Sequence, residues 1–495
     1  MKTEFSFIRG VSTDLLSGTA AAVRPLPLLL LILTALAQAE DFAYVTNLGT
    51  ITVAEYTGPG GDLTIPATIN GLPVTRIEMF TFFYRTNLTS VMIPDSVTSI
   101  GDQAFDGCTN LGLVRIGSNV TSIGNAAFHG CESLSSIAIP NSVMSLGAHA
   151  FSDCRSLTNV TLGNRVTRIG NAAFFECLNL TTVTIPDSVT NIGELAFAST
   201  PLTRVTIPKG LTSLGNAFMN CQDLVSVTIP SGVTSIGELA FYGCLSLTNV
   251  TIPSSVTNIN IGAFPDSLGA MAVDSLNPSY SSVDWVLFDK SQTSLIQYPM
   301  AKAVTYTIPK GVTNIGGEAF TGCKRLTGVT IPDTVTSIEG EAFFGCESLT
   351  NVTIPNRVAS IGESAFFGCG GLTRLTIPNS VAYIGDWAFH FCTSLTNVTI
   401  STNVARIGDY VFGGCSSLTS VTIPGGVTNI GDHAFHDCKS LTKIFFQGNA
   451  PGLGPHVFDG DNLATVYYLP GTTGWGSTFG DRPTALDTRS PAPAQ

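Results

Sequence analysis

Residues 349–371 read LTNVTIPNRVASIGESAFFGCGG, and the spacing of their apolar positions changes within those twenty-three residues. Leu349, Val352 and Ile354 stand among threonine and asparagine in an L-x-x-V-x-I pattern, which predicts a short strand with one buried face. Pro355 has no N–H to donate and ends it. Val358 and Ile361 predict a second, shorter extended piece, and Gly362 a sharp turn after it. Ala365, Phe366 and Cys369 then fall three to four residues apart, predicting one helical turn. Glu363 would sit near its start, where free N–H groups favour negative charge.

This unit returns at a fixed period through most of the chain. Its phenylalanine recurs from Phe82, Phe105 and Phe128 onward to Phe412, Phe435 and Phe458. All twelve cysteines stand three residues after a phenylalanine of that column. Such self-similarity predicts a repeat solenoid, in which units too small to fold alone bury their apolar sides on one another. The expected class is α/β with β dominant, built of about sixteen coils.

Departures from the period divide the chain. Alternation at 42–46 and 50–55 around Asn47-Leu48-Gly49 predicts a hairpin, giving an N-terminal cap over 40–70 and repeats over 71–264. Phe197 and Phe218 are only twenty-one residues apart, and Thr200 replaces the cysteine; the solenoid should continue through this shortened coil. The period lapses over 265–307, where runs on either side of Lys290-Ser291-Gln292 read as a hairpin. That insertion should keep the sheet continuous and project from it, with Trp285, Phe288 and Tyr298 as a small core of its own or as contacts for a partner. Repeats resume over 308–460, a C-terminal cap closed by Trp475 and Phe479 follows over 461–487, and 488–495 reads as a disordered tail.

The L-x-x-V-x-I-P strand followed by V-x-x-I-G-x-x-A-F-x-x-C resembles the BspA-type leucine-rich repeat, over roughly residues 60–460 with one interruption. The resemblance implies a bacterial surface molecule involved in attachment to proteins of a host or neighbouring cell. It also implies that an insertion of this kind forms a coil with an added hairpin.

Composition narrows the function further. Charged residues make up 12% of the chain, the net charge is −12, and no basic run appears, which argues against nucleic acid as partner. Lys2, Arg9 and Arg24 precede an apolar stretch at 28–36 and the small-x-small triplet Ala37-Gln38-Ala39. We read 1–39 as a secretory signal cut after Ala39, too short for a comfortable membrane span and retained as an anchor only if uncut. Cysteines in an exported chain ordinarily pair. Here, equivalent positions on adjacent coils run parallel about 4.8 Å apart, whereas a disulfide needs converging Cβ atoms nearer 3.8 Å. Buried free thiols are therefore expected.

Candidate chemistry is sparse. His433 and His436, with His456 one repeat on, could approach one another as metal ligands, but no closed four-ligand set is evident and they occupy variable outward positions. Asp432 beside His433 does not make a hydrolase, because no G-x-S-x-G elbow exists and a regular coil offers no deep pocket. Glu339 and Glu341 read as solvated loop charge, and the N-x-T matches at Asn87, Asn159, Asn249, Asn351 and Asn397 as strand template rather than glycan sites. Leu469-Pro470-Gly471-Thr472-Thr473 lacks the final glycine and apolar tail of a wall-sorting signal. No catalytic, cofactor or metal residue is nominated, and neither a ligand nor an oligomeric state can be named.

What remains is surface. Thr350, Asn351 and Thr353, with Thr396, Asn397 and Thr399, predict an uncharged, hydroxyl-rich strand face. Phe344, Phe367, Trp387 and Tyr410 form either an aromatic patch or packing between coils. The expectation is a non-catalytic, exported protein, secreted or on the cell surface, that binds a protein or glycan. The alternative is a structural envelope spacer or scaffold without a specific ligand.

Overall fold

The computed structural model describes residues 41–488 except residue 261. The segment read as a signal, 1–39, and all but the first residue of the tail expected at 488–495 lie outside the described residues. The chain is a solenoid of about eighteen turns with coils of about 23 residues, rather than about sixteen, since cap and inserted segments also complete turns.

Two parallel ladders follow the coils, each broken into several sheets along the way. In the first, short strands such as Ser136–Ala138 and Asn159–Thr161 pair one period apart, Ile137 opposite Val160, with only the central residue buried. The following proline opens a β-turn rather than a ladder position, as where Val358 N–H donates to Pro355 O at 3.1 Å. The second ladder has two-residue strands such as Ser337–Ile338 and Ser360–Ile361. A glycine follows the strand in many coils, as Gly362 follows Ile361, and there it is needed for space. A Cβ on Gly362 would lie 2.4 Å from the Gly340 nitrogen of the preceding coil. Its φ is not positive, so close approach between coils, rather than a sharp turn, requires the glycine.

The third side corrects the helical turn. No α-helix occurs among the described residues. Over 364–369, the N–H groups of Ser364, Phe366 and Gly368 donate to the next coil at Asp386, Ala388 and His390. Those of Ala365, Phe367 and Cys369 close turns on residues three back. Ser364 and Gly368 have left-handed φ values of 53° and 69°. These reversals expose alternate N–H groups to the neighbouring coil, so tandem turns form a third hydrogen-bonded edge. The position after the glycine is likewise not a helix start. Asp386 Oδ1 accepts the Asp409 N–H at 2.8 Å, and Asp409 Oδ1 that of Asp432 at 3.0 Å, tying coil to coil.

Inside, the phenylalanines stack nearly parallel, from Phe82 on Phe105 (4.6 Å, 4°) to Phe241 on Phe264 (6.2 Å, 12°), and again from Phe320 onward. All twelve cysteines are free and buried. In eleven coils the thiol donates to the phenylalanine carbonyl of the coil before, as Cys369 does to Phe343 at 3.2 Å. Burial pushes the Cys108, Cys177 and Cys415 thiols up to about 12.

The insertion does not project and does not carry either ladder across. Ala270–Val273 ends the first ladder's N-terminal part, while Tyr280–Val283, Val286–Asp289 and Ser294–Gln297 form an antiparallel meander that starts a new sheet. Val286, Leu287 and Phe288 are all fully buried. Leu287 faces the core of the N-terminal coils, whereas Val286 and Phe288 face that of the C-terminal coils. The three aromatics therefore make no separate core. Phe288 and Tyr298 join the C-terminal core, and Trp285, at the tip of the tight turn, is 54% exposed. Asn277 braces the start of this segment from a fully buried site. Its Nδ2 donates to Pro253 O and Val256 O, and its Oδ1 accepts from the Ser279 and Tyr280 N–H groups.

At the N-terminal end, Phe42–Asn47 pairs antiparallel with Thr50–Tyr56, which lies parallel to Leu72–Ile77. At the other end Trp475 and Phe479 pack on Phe446, and Tyr468 stacks on Trp475.

Candidate functional site

The strand face presents two threonine rows that look alike in sequence and differ in structure. In the row nearer the strand start, hydroxyls are already engaged. Thr350 donates to Thr327 O at 3.1 Å, Thr396 to Thr373 O at 3.0 Å and Thr442 to Thr419 O at 3.1 Å. The row three residues on is Thr307, Thr330, Thr353, Thr376, Thr399 and Thr422, all exposed. Among the described residues, no side chain or backbone group hydrogen-bonds these hydroxyls. Thr307 lies opposite Thr330, and Thr376, Thr399 and Thr422 are in register, so methyls and free hydroxyls repeat at the strand separation.

A depression of about 400 Å³ opens on this row just after the insertion, lined by Thr305, Thr307, Gly328, Thr330, Asn351 and Thr353. Gly328 stands in register between Thr305 and Asn351, and its missing side chain makes the floor. The nearest atom to a Cβ there would be Thr305 Cγ2 at 3.8 Å, so the space is open. The signal was present in the sequence as Thr327-Gly328-Val329-Thr330, where other coils have a residue with a larger side chain such as Asn351, Arg374 or Asn397, but only the register shows which neighbours bound the gap.

The turn edge gathers the aromatic candidates into a ladder. Phe344 stacks on Phe367 at 4.7 Å, Trp387 on Tyr410 at 3.9 Å and Tyr410 on His433 at 4.5 Å. Phe344, Phe367, Trp387 and Tyr410 are each part-buried against neighbouring coils. His390, beneath them and 5% exposed, is pushed down to about 4 by burial, so it stays neutral.

His433, His436 and His456 do come together, with ring centroids 5.0 Å apart from His433 to each of the others. Their partners are carboxylates: His433 Nδ1 is 2.6 Å from Asp432, His456 Nδ1 2.8 Å from Asp459 and His436 Nε2 3.4 Å from Asp437. Among the described residues, no three ligating side chains are placed to hold a metal ion. His433 pairs with Asp432 and packs on the rings of Tyr410, His436 and His456. Glu339 is exposed, and it also accepts from Asn314 Nδ2 at 2.7 Å and the Gly317 N–H at 2.9 Å.

A family model described as BspA type leucine rich repeat region (6 copies) matches residues 75–201, 147–271, 190–306, 298–385 and 359–478. Among solved structures, a leucine rich cell surface protein from Faecalibacterium prausnitzii A2-165 is 32% identical. The match covers 83% of this chain and 94% of that one, with a TM-score of 0.50. A leucine-rich repeat protein from Bacteroides ovatus is 25% identical over 90% of this chain and 98% of its own, with a TM-score of 0.43. The T. pallidum leucine rich repeat protein is 31% identical over 42% of this chain and 89% of its own, with a TM-score of 0.34. No curated protein matches.

Proposed function

The chain belongs to the BspA-type leucine-rich repeat family, and from that premise we propose that it is an exported, non-catalytic binding protein whose strand face engages a protein or glycan partner. The observation that carries the reading is the open threonine row with the depression at Gly328. Hydroxyls that the fold leaves unpaired are free to exchange hydrogen bonds with a polar ligand, while the methyls beside them supply apolar contact. A hydroxyl-rich face with no charged residue lining its depression suits sugars or peptide backbone better than phosphate. The relative in Faecalibacterium prausnitzii is described as a cell surface protein, which supports export of this chain. No helix among the described residues is long and apolar enough to cross a membrane.

The test is a glycan array and a protein pull-down with the purified chain, repeated with Gly328→Arg. A saturable ligand whose affinity falls at least about tenfold in the variant supports the reading. A ligand bound equally by both proteins would move the site elsewhere, and no saturable ligand in either assay would remove the proposal.

A further inference from the structure

We propose that Asp461 carries its proton inside the terminal coil and makes closure of the C-terminal cap depend on pH. Residue 461 stands three after Phe458, the place that cysteine holds in most earlier coils. Those thiols donate to the phenylalanine carbonyl of the coil before at 3.1–3.4 Å, as Cys438 does to Phe412 and Cys415 to Phe389. Where the column departs from cysteine, the substitute is also a donor. Thr200 Oγ1 donates to Phe197 O at 2.6 Å, Ser267 Oγ to Leu247 O at 2.9 Å, and Arg85 Nη2 to the Tyr56 carbonyl. An ionised carboxylate has no hydrogen to give, whereas a carboxylic acid has one.

Asp461 is fully buried and neither carboxyl oxygen has a partner in good hydrogen-bond geometry; the Cys438 N–H, which already donates to Phe435 O, is the backbone donor that acts on it. The Phe435 carbonyl, which the column rule would pair with residue 461, accepts the Cys438 N–H at 3.2 Å and no thiol among the described residues. The charged and titratable groups facing the carboxyl are Asp437 and Cys438 of the preceding coil, Asp459 of its own coil and Arg482 of the cap. Arg482 does not neutralise it. Its Nη1 donates to the Asp461 main-chain carbonyl at 3.0 Å and to Asn462 Oδ1 at 3.3 Å, and its Nε is buried without a partner.

Burial, the largest influence, pushes the carboxyl from its ordinary value near 3.8 up to about 8, with Asp437 and Asp459 adding to the rise against Arg482 and the Cys438 N–H. The strand Arg482–Leu486 pairs with Thr465–Tyr468, and Arg482 at its start holds the Asp461 main-chain carbonyl, so the strand is tied to this site. Opening it would wet the carboxyl and release the proton. Because the closed form holds a proton that the open form gives up between those two values, closure is tightest in acid and weakens as pH rises through the window. It becomes pH-independent once the closed form also ionises.

Hydrogen exchange of the full-length chain tests this, followed on the amides of Arg482, Thr484, Ala485 and Leu486 from about pH 5 to about pH 7 and corrected for intrinsic exchange. The opening constant should rise about tenfold per pH unit in the native protein, and stay flat in Asp461→Asn and Asp461→Cys, which keep a donor and do not ionise there. The infrared carboxylic-acid carbonyl band should persist in native protein at neutral pH and one such band should vanish in Asp461→Asn, a readout that does not depend on the cap's stability. A flat opening constant in the native chain, an equal slope in Asp461→Asn, or no difference in that band would each overturn the proposal.

Discussion

The shortened coil and the insertion both break the period, yet only one of them divides the molecule. Where two residues are missing between Phe197 and Phe218, the second ladder stops at Asn191–Ile192 and starts afresh at Ser213–Leu214. The rings nevertheless stay stacked at 5.6 Å and 4°, and one continuous core passes through. Thr200 is still a donor, though to Phe197 O of its own coil rather than to the coil before, and it touches Cys221 Sγ at 3.4 Å. In the insertion the phenylalanine stack ends at Phe264 and a ring series resumes only with Tyr298 on Phe320. Residues lost from a turn disturb hydrogen bonds at the rim. A strand buried on both faces, as Val286–Asp289 is, places a wall through the apolar interior.

The sharpest way to break that contrast is to hollow the wall from each side. Phe288→Ala should cost about 3–5 kcal/mol and Leu287→Ala about 2–5 kcal/mol, each leaving a cavity at a fully buried position. Hydrogen exchange should place the lost protection on the coils after the insertion for Phe288→Ala and on those before it for Leu287→Ala. Identical maps for the two variants would mean one undivided core.

A smaller effect is expected from the brace. Asn277→Ala removes donors to Pro253 O and Val256 O and the acceptor for two N–H groups, for about 2–3 kcal/mol in chemical denaturation. A loss below about 0.5 kcal/mol would show the insertion seated by apolar packing alone. The smallest change should come from the shortened coil. Thr200→Cys restores the column residue with a donor in place, and its melting temperature should imply less than about 1 kcal/mol either way. A larger loss would show that this coil, too, depends on a specific local contact.

How much was legible can be judged from particular residues. The phenylalanine and cysteine columns were plain because a fixed period forces equivalent side chains into one stack, and the structure stacks them. The Ala365-Phe366-x-x-Cys369 spacing was misread as helical because tandem turns place the same residues on the same side. The choice between them is made by N–H groups that bond to Asp386, Ala388 and His390, a whole coil away in sequence. The insertion was misread for a related reason. Alternation shows that Val286-Leu287-Phe288 has two faces, but it cannot show that both are covered.

The candidate site divides the same way. Its threonines could be counted from the sequence, and their places in the strand assigned. Which row keeps its hydroxyls free depends on whether a carbonyl of the preceding coil lies within reach, and that is set by coil stacking.

The amino-acid order thus determined the repeating unit, its inward residues and the class of fold, because a short period of apolar positions leaves a chain few ways to bury them. Stacking alone decided the turn geometry, the divided core, the open threonine row and the buried carboxyl of Asp461. Each of these depends on a neighbour about one coil distant, a separation at which local preference carries no information and only contact does.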